Sequence, residues 1–98
     1  MKANKQRQPK RLKRATALKY DPTKNNAPQL VASGEGYLAE KIINIAESEG
    51  VFVYHDPDLA RVLSRLNLYQ EIPEELYKTV AEVLAFIQML GDKKNAEG

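Results

Sequence analysis

The spacing of apolar residues changes several times along this chain, and each change marks an element. Residues 1–14 carry one large aliphatic residue after Met1, Leu12, which is too little to bury, so the stretch reads as a disordered tail. At Ala15-Thr16-Ala17-Leu18-Lys19-Tyr20 an alternation sets in that puts Thr16, Leu18 and Tyr20 on one face of a strand. Asp21-Pro22 breaks it, and the polar run to Pro28 reads as a loop. Gln29-Leu30-Val31-Ala32-Ser33 predicts a second strand, ending at Gly34-Glu35-Gly36. Leu38, Ile42, Ile45 and Ala46 then recur at i, i+4, i+7 and i+8, widened by Ala39 and Ile43, predicting a helix over 36–49. Gly50 sits where a left-handed C′ residue belongs. Val51-Phe52-Val53-Tyr54 follows as a short β-branched and aromatic run, the signature of a buried strand.

Strand, helix and strand in this order predict a βαβ unit, its two strands parallel and joined by a right-handed crossover. Asp56-Pro57 is a helix start, an N-cap acceptor followed by proline at N1, and Leu59, Val62, Leu63 and Leu66 supply the buried face. Residues 67–73 are ambiguous: Leu66, Leu68, Gln70 and Ile72 alternate, which permits a short edge strand. Pro73 at N1, with Glu74 and Glu75 complementing the helix dipole, opens the last helix. Its stripe is Leu76, Val80, Val83, Leu84, Ile87 and Leu90, and Gly91 is expected to stop it. The expected organisation is a basic tail at 1–14, one domain at 15–90 and a polar C-terminal tail at 91–98. The expected fold class is α+β, a small mixed sheet of three or four strands with one βαβ unit and about three helices.

Composition adds limits. A chain of 98 residues allows one domain, and a domain this small buries only about 60% of its unfolded surface. No apolar run reaches the ~20 residues of a membrane helix, and Met1 is followed by charged and polar residues rather than a secretory signal. These features fit a cytoplasmic protein. Without cysteine there are no disulfides, thiolate zinc sites or thiol nucleophiles. The net charge of +2 conceals an asymmetry. Residues 1–24 hold nine Lys or Arg against Asp21 alone, whereas residues 25–98 hold six bases and twelve acids.

Candidate chemistry is sparse. His55 is the single histidine, flanked by Asp56 and Asp58, but a metal needs a further ligand and acid–base work a nucleophile to act on. Glu47, Glu49, Glu74 and Glu75 read as solvated helix positions. Ser33-Gly34-Glu35-Gly36 lies between strand and helix but lacks the Gly-x-x-x-x-Gly-Lys-Ser/Thr pattern, and Glu35 would repel a phosphate; its glycines read as a tight turn. No catalytic, metal or cofactor site is assigned. The basic tail, with Lys10-Arg11 and Lys13-Arg14, could contact nucleic acid or an anionic membrane through counterion release. It has no interleaved aromatics for base stacking and too few apolar residues for a membrane-lying helix.

Several segments together resemble the cytoplasmic domain of the FlhB/YscU family, membrane proteins that switch substrate specificity in flagellar and type III secretion export. They are Ala17-Leu18-Lys19-Tyr20-Asp21-Pro22, Ala27-Pro28 with Leu30-Val31-Ala32-Ser33-Gly34-Glu35-Gly36, Asp56-Pro57-Asp58-Leu59-Ala60-Arg61-Val62-Leu63, Ile72-Pro73-Glu74-Glu75-Leu76-Tyr77, and Val80-Ala81-Glu82-Val83-Leu84-Ala85-Phe86. The segments keep the family's order over residues 15–90.

The resemblance implies a small mixed sheet surrounded by helices and a role in protein export. It implies export-apparatus proteins or secreted substrates as partners, met by a monomer that docks at the cytoplasmic face of a membrane apparatus. It also implies a small apolar depression for partners at Ala27, Pro28, Ala81 and Leu84, although Ala81 and Leu84 equally suit the core face of their helix. Two departures stand out. Family members carry a transmembrane region ahead of this domain, and none is read here. They also cut their own backbone at an Asn-Pro-Thr-His motif, whose positions here read Lys10, Arg11, Leu12 and Lys13. Without the Asn nucleophile no self-cleavage is expected. The chain reads as a stand-alone equivalent that starts close to where the family's cleaved fragment starts.

Overall fold

The computed structural model describes residues 13–97. Two strands, β1 (Arg14–Lys19) and β2 (Gln29–Glu35), form an antiparallel ribbon. Helix α1 (Tyr37–Ser48) packs across both, α2 (Pro57–Leu63) packs against β1, and a single 3-10 turn (Glu74–Leu76) leads into α3 (Tyr77–Glu97). The class is α+β, as the sequence implies, with fewer strands than expected.

In the ribbon Ala17 faces Ala32 and Leu18 faces Leu30, so Val31 is an extra residue in β2. This bulge interrupts the alternation. Ala15 is buried in the first half of β1, and Leu18 turns toward the core in the second half. Tyr20, expected on the same face of the strand, lies beyond its end and is half exposed.

Local chemistry places the helix ends. Gly36, at φ 58°, turns the chain from β2 into α1 with no side-chain cap. Gly34 allows the close approach of strand and helix, because a Cβ there would lie 2.8 Å from Leu38 Cβ. At the other end Gly50 takes φ 75°. Its N–H donates to Glu47 O at 3.2 Å and the Val51 N–H to Ala46 O at 2.8 Å, the two bonds of a Schellman cap. Asp56 Oδ1 accepts the Leu59 N–H at 3.1 Å and Pro57 occupies N1, as expected from sequence.

The core is small. Ala27, Leu63, Ile72 and Val80 form its centre, with Leu18, Leu59, Leu66 and Leu76 packed around them. Leu30 and Ala39 are also buried. Residues 69–72 lie along β2: Leu30 N–H donates to Gln70 O, Tyr69 N–H to Leu30 O and Ile72 N–H to Pro28 O. This short stretch makes a single isolated bridge, Gln29 to Glu71, rather than the full edge strand that the alternation at 67–73 permits.

Three expectations are corrected. Residues 51–54 are not a buried strand, so there is no βαβ unit among the described residues: Val51, Phe52 and Tyr54 are each close to half exposed. Apolar, β-branched residues supply the propensity for a strand, but a strand also needs a neighbour to bond, and these residues have none among the described residues. Pro73 precedes the 3-10 turn rather than opening α3, which starts at Tyr77. Gly91 does not end α3, whose backbone continues to Glu97. A glycine costs a helix about 1 kcal/mol relative to alanine, and that cost stops a helix only where a left-handed cap is also formed. Of the tail, residues 1–12 lie outside the described residues.

Candidate functional site

A depression of about 200 Å³ opens between the β1–β2 connection and the start of α3. Its floor is core: Ala27, Ile72 and Val80 are each at most 3% exposed. Pro28, Ala81 and Leu84 form its walls, and Tyr20, Tyr77 and Asn26 stand around its mouth. All four residues named from the family resemblance, Ala27, Pro28, Ala81 and Leu84, therefore line one surface feature. The core-face alternative for Ala81 and Leu84 fails, since both are exposed and Leu84 is 40% so.

Two connections hold the site. The loop before it is closed by an Asp21 turn, in which Thr23 N–H and Oγ1–H donate to Asp21 Oδ1 at 3.0 and 2.6 Å. Asp21 O also accepts the Lys24 and Asn25 amides. The Thr23 hydroxyl, then its amide, with Lys19 nearby, hold the Asp21 carboxyl below its ordinary range. Asn25 Nδ2 reaches Glu71 Oε2 at 3.3 Å and ties this loop to the residues beside β2. On α3, Tyr77, Val80, Ala81 and Leu84 fall at i, i+3, i+4 and i+7, on one face of the helix.

The depression is apolar, lies below the ~300–1,000 Å³ usual for small-molecule sites, and has aromatic rings at its rim. Its volume and lining would accommodate one bulky apolar side chain. Its rim residues Tyr20, Asn26 and Tyr77 escape the sequence reading. Tyr77 was within reach, one helical turn before Ala81, whereas Tyr20 and Asn26 join the site only through the fold.

No catalytic arrangement appears among the described residues. His55 is exposed, and no three His, Asp or Glu side chains are grouped to hold a metal. Of the positions that the resemblance sets against the family's cleavage motif, Lys10, Arg11 and Leu12 lie outside the described residues. Lys13 is exposed, with Nζ 4.0 Å from Glu40 and its carbonyl accepting the Gly36 N–H. Arg14 pairs with Glu35 at 3.0 Å. No helix among the described residues is long and apolar enough to cross a membrane.

The described residues form a small α+β domain with an apolar surface depression. Residues 12–87 match the model of the FlhB HrpN YscU SpaS family, and the chain belongs to that family. It is 40% identical over 81 residues to the uncharacterized protein YlqH of Bacillus subtilis, covering 83% of this chain and 87% of YlqH. It is 45% identical over 74 residues to the flagellar biosynthetic protein FlhB of Aquifex aeolicus, covering 74% of this chain and 21% of FlhB. The chain thus spans about a fifth of the FlhB length. The crystal structure of the cytoplasmic domain of FlhB from Shewanella putrefaciens superposes with TM-score 0.81 at 35% identity, covering 87% of this chain and 67% of that one.

Proposed function

We propose that this chain serves flagellar or type III protein export as a non-cleaving equivalent of the FlhB cytoplasmic domain. In this reading it is a cytoplasmic monomer that docks at the export apparatus and binds export-gate components or export substrates, without a cofactor. The observation that carries the reading is the meeting of Ala27, Pro28, Ala81 and Leu84 in one apolar depression with two of the four exposed. A partner inserts an apolar side chain between Tyr20 and Tyr77 and displaces water from the floor, a contribution that grows at about 25 cal/mol per Å² of apolar surface buried.

The test is a deletion of this protein in its own host, scored for hook and filament assembly and for secreted proteins, then complemented by wild type and by Ala81→Glu. The reading expects loss of assembly or of a secreted protein, restored by wild type and not by Ala81→Glu at equal protein level. A wild-type phenotype for the deletion in both assays contradicts it. Ala81 is the residue to change because it is exposed, whereas a charge at buried Ala27 would unfold the core.

The same reading holds that Lys10, Arg11, Leu12 and Lys13 do not cut the backbone, since the side-chain amide that attacks its own carbonyl is absent from these positions. The purified chain should keep its full mass on prolonged incubation, and a scission near residue 10 by mass spectrometry would overturn this.

A further inference from the structure

We propose that the outer edge of β1 takes up one extended strand from a second protein, apolar in its middle and acidic at its ends. This surface is separate from the depression. Strand β2 is bonded along one edge to β1 and meets residues 69–72 along the other. Strand β1 is bonded to β2 alone among the described residues. Among the described residues its other edge makes no backbone hydrogen bonds, and it has no proline or bulge on its own strand and small residues, Ala15, Thr16 and Ala17, through its first half. Such an edge is a template for a further strand.

Residues 51–54 supply the second observation. They have the composition of a buried strand, yet Val51, Phe52 and Tyr54 are exposed. Among the described residues the single backbone hydrogen bond in this stretch joins Val51 N–H to Ala46 O and belongs to the cap of α1. These residues lead directly into α2, which packs against β1. The fold therefore carries both an unpaired edge and unpaired strand-forming residues, and one added strand would give the edge its missing partner.

Charge selects the occupant. The ends of β1 are Arg14 and Lys19. Across β2 the Arg14 position is answered by Glu35, and Lys19 faces uncharged Gln29. An antiparallel newcomer sets a residue opposite each end of β1, and acids there are favoured while bases are disfavoured. A second copy of β1 would set Arg14 against the copy's Lys19. The chain's own first twelve residues carry Lys2, Lys5, Arg7, Lys10 and Arg11, no acid, and Pro9. Both place like charges together, which leaves an acidic-ended strand of another protein.

The probe is an acetylated, amidated seven-residue peptide, Glu-Val-Thr-Val-Thr-Val-Asp, with Lys-Val-Thr-Val-Thr-Val-Arg as its counterpart. Amide hydrogen exchange of the full chain is read by NMR with each peptide. The acidic peptide should slow exchange at amides within residues 14–19. Lys19→Glu, at an exposed position, should weaken it by about two- to fivefold, the range of one cross-strand charge pair, and should narrow the preference for the acidic over the basic peptide. Ala81→Glu should leave this binding unchanged. Unaltered exchange at residues 14–19, or equal binding of the two peptides, overturns the proposal. Protection without peptide also overturns it: protection that grows with protein concentration assigns the edge to a second copy, and protection in the dilute monomer assigns it to the chain's own residues.

Discussion

Residues 51–54, Val-Phe-Val-Tyr, and residues 69–72, Tyr-Gln-Glu-Ile, are both short stretches flanking α2, yet they end in opposite states. The second lies along β2 with three backbone hydrogen bonds to residues 28–30, and Gln29 Nε2 adds a fourth to Tyr69 O. Its Ile72 reaches the core, at 3% exposed. The first is richer in strand formers and remains in solvent, its Tyr54 touching only the edge of Phe86 at 5.9 Å among aromatic pairs. Composition therefore does not decide which stretch is paired: Tyr69 is as exposed as Val51, and of residues 69–72 only Ile72 is buried. The edge within reach decides it: residues 69–72 follow the turn after α2 that delivers them to β2, a conformation that sets Tyr69 at φ 70°.

The comparison breaks most directly at the residue that benefits from burial. Ile72→Ala should cost about 2–5 kcal/mol in urea unfolding, the range for deleting a buried aliphatic side chain, and should also open the floor of the depression. Phe52→Ala, though it removes a larger side chain, should cost within about 0.5 kcal/mol, as a surface change does. Equal losses at the two sites would show that residues 51–54 are packed in the free protein and would remove the contrast.

A smaller effect sharpens the contrast at the turn between the strands. The carboxyl of Asp21 is lowered in the folded chain by the Thr23 hydroxyl and amide. Its contribution to stability is therefore full above the unfolded aspartate value, about 3.9, and is lost as pH falls through the folded value. An NMR titration of Asp21 should move upward toward the ordinary value in Thr23→Val. An unchanged titration would mean that the hydroxyl bond does not hold the turn.

Much of the fold can be read from residue types whose role is local. Asp56-Pro57 caps α2, Gly50 ends α1 and Gly36 starts it, because each depends on backbone angles and on acceptors within a few residues. Residues 51–54 mislead, since pairing is a tertiary event that propensity does not report. Gly91 misleads for the reverse reason: it resembles Gly50, but the two differ in the backbone conformation the chain adopts around them. The site divides in the same way. Val80 and Leu84 are legible from the helical stripe, and the resemblance names Ala27, Pro28, Ala81 and Leu84 together, while Tyr77 shares their helical face without belonging to that stripe. Tyr20 and Asn26 join them only when β1 and its following loop fold against α3.

The central claim, that the depression receives a partner's apolar side chain, is tested most directly by photo-crosslinking in the host. A photoreactive phenylalanine analogue replaces Tyr77 at the rim of the depression or, as a control, Lys41 on α1. The account predicts an adduct with an export-apparatus protein or a secreted protein from position 77, abolished by Ala81→Glu and absent from position 41. Failure to form that adduct at position 77, or its persistence alongside Ala81→Glu, would contradict the claim.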